Sequence, residues 1–350
     1  MAPSPELVAN CKKIAGQGGE LASEPHAYMN LAHEYTEKAC KMPWLAFGII
    51  GSLFLSDEYE ASRHGISESI KGGVKQLETA SQGLVKVANS IAKAEVANTV
   101  DAKAKRDPGF KYVEPSGSGG FTNFEAAGLF GGVTLAAENA AIAVVNGASA
   151  TLAPTAILAT VIWAMFIPDD DALSKAVGGW DAAATNIKGV TGDTWKGVLK
   201  TLDDNWKGDS HTAFSTWSDI FSTEVDQTAT AAETNSKALK DIVNNLHHLQ
   251  NEMFIFAMGC FAAIIAFAIG EKLPYIGPIC AVLKQIQGAV LSGGTATSVA
   301  AVAGTLATVL GPLKQMFDSF GTNFAKLEPN KGGSGNSFQD INIKWASPTI

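Results

Sequence analysis

Apolar residues recur at intervals of three, four and seven along the first hundred residues, with polar and charged residues between them. This spacing places them on one face of an α-helix, whereas strict alternation, the pattern of a half-buried strand, is absent. The stretch "KMPWLAFGIIG" divides the pattern into two runs. The apolar positions are Leu7, Ile14, Leu21, Tyr28, Leu31 and Tyr35 before it, and Ile66, Ile70, Val74, Leu77, Leu84, Val87 and Ile91 after it. Residues 1–105 therefore predict a helical hairpin.

A second helical pattern occupies residues 169–255, after a Pro/Gly/Ser-rich linker over 106–122 and an apolar segment over 123–168. It opens on three aspartates, suited to a helix N-terminus, and is interrupted at the sequence "WKG". There Gly208 can adopt the backbone angles of a chain reversal and Trp206 can fill the bend. The apolar positions are Leu173, Val177, Trp180, Ala184, Ile187, Trp195, Val198 and Leu202, then Phe214, Trp217, Phe221, Val225, Thr228, Ala232, Leu239, Ile242, Leu246, Leu249 and Met253. This pattern predicts a second antiparallel hairpin.

Three uncharged segments are long enough to cross a bilayer: 139–168, 253–270 and 286–313. The last two belong mostly to an apolar, Gly/Ala-rich region over 256–327. Such segments are either core helices surrounded by protein, or apolar elements that unpack to enter a membrane or an oligomer. The side chains we assign to a possible membrane or oligomer segment are Phe254, Phe256, Phe261, Ile264, Ile265 and Phe267.

The C-terminal residues 328–350 join a Gly/Ser stretch to Ile341, Ile343 and Trp345, whose alternation suits a short strand. A lone strand docks on a neighbour, within the chain or on the next subunit, and the alternative is a disordered tail. The fold class predicted from the whole pattern is all-α. It is an elongated helical bundle built from two antiparallel hairpins, with additional apolar helices and a short strand-like tail.

Composition narrows the functional classes. The formal net charge is −8, which argues against a nucleic-acid partner. Charged residues make up 17% of the chain and the mean hydropathy is +0.11, so the chain carries more apolar surface than a soluble monomer needs. The N-terminus has no basic region followed by an apolar one, which disfavours a cleaved signal peptide.

Catalytic and metal-binding motifs are missing from the sequence. It contains no G-x-S-x-G, no H-E-x-x-H and no phosphate-binding P-loop. Its cysteines have no metal-ligand spacing and are interpreted as buried free thiols, with Cys11 and Cys40 on one helix. Cys260 and Cys280 could form a disulfide only if the chain folds back near Gly270. We expect no enzymatic activity, no cofactor and no metal.

Two turn motifs carry a resemblance to a known family. A Trp-x-Gly turn between two amphipathic helices, here Trp206 and Gly208, resembles the WxG helical hairpins of type VII (ESX) secretion substrates. The first hairpin is similar to their Esp-type cousins, with Trp44, Gly48 and Gly51 in the turn, followed by Phe54 and Tyr59. The resemblance covers about half of the chain and implies a secreted helical protein that interacts with type VII secretion machinery.

The family's export signal, Y-x-x-x-D/E after the second helix of a hairpin, is imperfect here. Ile91 stands at the tyrosine position and Glu95 at the acidic one. In the second hairpin His248 and Glu252 form an H-x-x-x-E at the equivalent place. We favour the interpretation that His247 and His248 are ordinary helix-surface residues.

The resulting functional hypothesis is a secreted or cell-surface, non-enzymatic helical protein that forms homo-oligomers or inserts apolar helices into membranes, as pore-forming virulence factors do. The alternative is a soluble structural or partner-binding helical protein whose apolar helices stay in its core.

Overall fold

The computed structural model describes residues 5–94, 167–259 and 313–327, together with Phe338, Ile343 and Trp345. Of these residues 86% are helical and none forms a strand, so the all-α prediction is confirmed. The helices are α1 (Pro5–Leu21), α2 (Glu24–Lys38), α3 (Gly48–Ala94), α4 (Asp170–Val190), α5 (Asp193–Asn205), α6 (Asp209–Gly259) and α7 (313–321).

The first predicted helix is broken between α1 and α2. Pro25 lies in the first turn of α2 and has no N–H to donate to the preceding turn, while the Ser23 N–H and hydroxyl both turn back to the Glu20 carbonyl. The expectation that Cys11 and Cys40 share one helix is therefore wrong. Cys11 lies in α1, and Cys40 lies beyond the end of α2; both are buried free thiols.

The long helices α3 and α6 are antiparallel neighbours, because residue numbers rise along one as they fall along the other. The buried Ser62 hydroxyl and Asn235 amide exchange hydrogen bonds, Ser69 meets Thr228, and Leu246 lies against Gly51.

Helices α1 and α2 run antiparallel to α3, with contacts from Gly18 to Ser81 and from Glu37 to Ser67. Helix α4 runs antiparallel to α6 in the same way, from Asp170–His247 to Lys188–Glu233.

Helices α1 and α2 of the first half also contact α5 of the second half. Thr194 of α5 donates to Glu24 of α2, and Lys13 of α1 donates to Asn205 at the end of α5 over 2.7 Å. The α1–α2 pair, α3, the α4–α5 pair and α6 thus each contact two of the others. Neighbouring members of this bundle run antiparallel.

One hydrophobic core runs through the described part of the chain. The predicted apolar positions of α4 to α6 are buried wherever their side chains are described. Members from successive elements are Cys11, Met29, Leu77, Leu173, Trp195, Leu246, Phe317 and Phe338. The described parts of the two predicted hairpins, residues 5–94 and 167–251, therefore share this core.

Polar groups inside the bundle join the halves at Tyr59. Its hydroxyl donates to the Cys40 carbonyl and accepts from Trp180 Nε1 at 3.1 Å, and all three residues are almost completely buried. Burial raises the pKa of Tyr59 well above its ordinary value, so the hydroxyl stays protonated and keeps both bonds.

A nearly buried Arg63 ties α2 to α3. Its guanidinium donates two hydrogen bonds to Glu60 and a third, at 2.9 Å, to Glu37. The hydrogen bonds from Arg63 hold the pKa of Glu60 below its ordinary value. For Glu37, burial would raise the pKa, but hydrogen bonds from Ser67 and Arg63 outweigh it and the pKa is lowered.

Two groups of predicted residues lie outside the described ones: Glu95, Phe261, Ile264, Ile265 and Phe267, and the side chains of Glu252, Phe254 and Phe256. Among the helices that the structure describes, none combines the length and apolar character needed to cross a bilayer.

Candidate functional site at the Trp206 turn

The interruption between α5 and α6 is a tight turn. Trp206 has extended backbone angles, and its N–H closes the last turn of α5 on the Leu202 carbonyl at 2.9 Å. Gly208 follows with φ +103°, a left-handed conformation that side chains other than glycine adopt only with strain. His211 Nε2 meets the Asp203 carboxylate at 2.9 Å across the turn. The reversal predicted at Gly208 lies at this point of the chain.

Aromatic rings surround the turn. The Trp206 ring lies 6.2 Å from Phe214 and 6.4 Å from Trp345, in nearly parallel planes in the second case. The stack continues along α6 through Trp217 and Phe221, whose centroids are 4.9 Å apart. Trp206 is 5% exposed, and its cover is supplied by Trp345, far away in the sequence.

The C-terminal part of the chain follows the groove between α3 and α6. Phe317 of α7 stacks on Phe54 at 5.6 Å. The Ala325 N–H donates to Asn235 of α6 at 2.8 Å, and its carbonyl accepts from Ser62 of α3. As residue numbers rise in this segment they also rise along α3, so the two run in the same direction.

Two of the described residues beyond 327 lie in the same groove. Phe338 is fully buried between Gly73 of α3 and Phe221 of α6, with ring centroids 5.0 Å apart in the second contact. Further along, Trp345 lies directly over Gly83, where an added Cβ would sit 2.1 Å from the indole. We call the surface formed by Gly73, Gly83, Trp206, Phe214 and Phe221 the tail groove.

None of the described tail residues, Phe338, Ile343 and Trp345, is assigned to a strand, and the strand-like tail stays a prediction. The Trp345 N–H donates to the carbonyl of Ile343 at 3.0 Å. The Phe338 and Trp345 side chains lie in the groove between helices. Of the alternatives for the tail, docking within the chain is the one that the structure contains.

A cavity of about 530 Å³ opens beside Trp345. Its walls are Trp206, Gly208, the α3 residues Lys86 and Ile91, and the exposed Lys207. Asp209 also lines the cavity, so two ammonium groups and one carboxylate surround its apolar surface, which suits an apolar or aromatic group. Ile91, predicted as the altered tyrosine of an export signal, therefore shares a site with the Trp206 turn.

The opposite end of the bundle holds the other predicted turn. Gly48 has φ +72° and is the first residue of α3, but Trp44 is 57% exposed, unlike Trp206. Leu45, Ile49 and Leu53 beside it are 43–59% exposed. We call these four residues the end patch. Ile49 and Leu53 are four residues apart in α3 and share one helix face, while Trp44 and Leu45 lie in the turn before it.

The other candidate signal lies near this end. His248 is exposed on α6, two residues beyond Leu246, which packs against Gly51. The Asp169 N–H donates to the Ala46 carbonyl at 2.9 Å, so α4 also begins here. The sequence did not point to the tail groove, although glycines at 73 and 83 inside a strong helical pattern were an available signal of close approach.

A buried carboxylate lies one helical turn from the tail groove. Glu224 is 6% exposed, and its Oε2 has no hydrogen-bond partner among the residues that the structure describes. Burial without a compensating charge raises its pKa. The indole N–H of Trp217 in the aromatic stack is likewise buried without a described partner.

Comparison with known proteins returns no matching family model, no matching curated protein and no matching solved structure. The proposed function therefore rests on the geometry of the described residues.

Proposed function

We propose that this chain is an exported, non-enzymatic helical protein of the WxG kind that acts by self-assembly and by bringing apolar segments to a membrane. The observation that carries the proposal is the end patch, where Trp44, Leu45, Ile49 and Leu53 expose large apolar side chains at one end of the bundle. Exposed apolar clusters of this kind mark interaction surfaces.

The position of the end patch relative to the apolar segments supports the membrane part. Asp169, which directly follows the segment 139–168, donates to the Ala46 carbonyl just before the start of α4. Helix α6 passes Gly51 at Leu246 and continues to Gly259, roughly 15 Å beyond the level of Gly48. Leu313, the last residue of the third segment, opens α7 at the same end. All three apolar segments therefore join the bundle beside the end patch.

Energetics favour an apolar partner for this surface. Fully burying one large apolar side chain contributes about 1.5–3 kcal/mol, so four half-exposed ones offer about 3–6 kcal/mol. Trp44 suits the interface between headgroups and acyl chains. Both Lys41 and the aspartates at 169–171 are exposed near this end, so charge gives no preference for anionic lipid.

The membrane part is tested with neutral phosphatidylcholine vesicles, measuring co-flotation and dye release. Wild type should float with the vesicles and release dye, and L53E should lower the floated fraction about tenfold. I220E is the matched control, because Ile220 is 45% exposed on α6 outside the end patch, and it should behave as wild type. A263D, in the middle of an apolar segment, should still float but release no dye.

Two results contradict the membrane part: no flotation of wild type at any lipid composition or pH, or equal loss of flotation in L53E and I220E. Either one favours the alternative of a soluble bundle whose apolar segments stay in its core.

The export part rests on Ile91, which lines the same cavity as Trp206 and Gly208. I91Y restores the family's tyrosine, so secretion should be unchanged or improved. The measurement is the culture-supernatant fraction in a host with and without its type VII ATPase. Equal secretion in both hosts removes type VII export from the proposal.

A further inference from the structure

The tail is held by matched shapes along the length of α3. Gly73 and Gly83 lack the side chains that would fill the space taken by Phe338 and Trp345. Any Cβ at Gly83 would collide with the indole, and one at Gly73 would lie 2.8 Å from the Met29 methyl group and 3.2 Å from the Phe338 ring. The groove therefore has two aromatic seats, one opposite Phe221 and one beneath Trp206.

The chain between Leu327 and Phe338 is longer than this docking needs. The Leu327 carbonyl lies near Gly65 and Phe338 lies at Gly73, a separation of about 12 Å along α3. The ten residues 328–337 have the sequence "EPNKGGSGNS" and can span about 35 Å when extended. The surplus is enough to carry the tail to the groove of an adjacent molecule.

We propose that the tail groove also takes the tail of a second copy of this chain, so that copies join by exchanging Phe338 and Trp345. A second copy fits this groove because its tail presents the same two aromatic side chains, Phe338 and Trp345, that the seats hold in the structure. Exchange of an identical segment creates an interface without any new contact surface.

Concentration decides which tail fills the groove. A tethered tail has an effective concentration in the millimolar range, so the chain's own tail occupies the groove at micromolar protein. Exchange becomes competitive when copies are crowded. This inference deepens the self-assembly part of the proposed function, and it is independent of membrane insertion because exchange needs no lipid.

The test pairs two full-length variants, each with one half of the interaction. G83L, the donor, blocks the Trp345 seat and leaves Trp345 of its own tail free to dock on another molecule. The acceptor carries F338A and W345A, so its groove is empty. Mixed at about 50 µM in the absence of lipid, they should form a one-to-one dimer by native mass spectrometry and light scattering, while each alone stays monomeric.

G197L is the matched control for the donor. Gly197 is also a mid-helix glycine, but nothing lies within 4 Å of its added Cβ, so this variant keeps its own tail docked and should not pair with the acceptor. Absence of a dimer between the folded donor and the folded acceptor, each showing wild-type circular dichroism, overturns the inference.

A second measurement covers the case in which G83L fails to fold. A protease site inserted between Gly333 and Ser334 is cut after folding. Cut protein with a labelled tail is then mixed with cut protein without a label. Labelled tails should transfer to unlabelled molecules, and a W345A tail should transfer at least tenfold less. Tails that leave and never rebind contradict tail exchange, whether or not the vesicle assays succeed.

Discussion

Replacing Tyr59 by Phe removes one oxygen atom that serves two buried partners. The ring contacts of Tyr59 with Phe47, Trp180 and Phe324, at 5.3–6.5 Å between centroids, are preserved in a phenylalanine. The hydrogen bonds to the Cys40 carbonyl and from Trp180 Nε1 are lost. Because both partners are 0% exposed, water cannot replace the hydroxyl without rearrangement.

The magnitude follows from two orphaned groups. Each buried donor or acceptor left without a partner costs about 1–3 kcal/mol, so the two together should lower the free energy of unfolding of Y59F by about 2–6 kcal/mol. With a urea dependence of about 3 kcal/mol per molar, the midpoint of unfolding should fall by about 0.7–2 M.

The assay is equilibrium unfolding in urea, followed by tryptophan fluorescence and circular dichroism, of Y59F, W180F and the double variant. In the W180F background there is no indole N–H to orphan, so Y59F should cost about 1 kcal/mol less than in wild type. The reasoning is refuted if Y59F lies within about 0.5 kcal/mol of wild type, or if the two substitutions are additive.

Two further substitutions test the Trp206 turn and the buried carboxylate. W206A should lower the free energy of unfolding by about 3–5 kcal/mol, because the ring is buried against Phe214 and Trp345. W44A, at the exposed turn, should lower it by less than about 1 kcal/mol. Equal losses in the two variants would contradict the packing described. Because burial raises the pKa of Glu224, the carboxylate destabilises the fold as pH rises from below the ordinary carboxyl pKa towards neutrality. E224Q should therefore raise the thermal midpoint of unfolding at pH 7, and this gain should shrink below about pH 4.5. D226N, at an exposed site on the same helix, is the control and should show no such trend. A gain for E224Q that is independent of pH would exclude the charge of Glu224 as its cause.

Local sequence determined the helices and the turns between them. Leu239 and Trp180 are 0% exposed, as the three-four spacing predicts, because a helix brings residues three and four apart onto one face. Gly48 and Gly208, both identified as turn positions from neighbouring residues, are the two described glycines with positive φ. These properties depend on residues close together in the chain, so periodicity and glycine placement contain them.

Tertiary structure decided which of two similar local patterns ends with a buried side chain and which with an exposed one. Trp44 and Trp206 stand in similar turns, yet one is mostly exposed and the other is covered by Trp345, 139 positions later in the chain. Nothing within one helical turn of Gly83 predicts that an indole will occupy its missing side chain. The path of the tail and the contrast between the end patch and the tail groove arise from contacts between segments distant in sequence, which the spacing of residues within one helix does not specify.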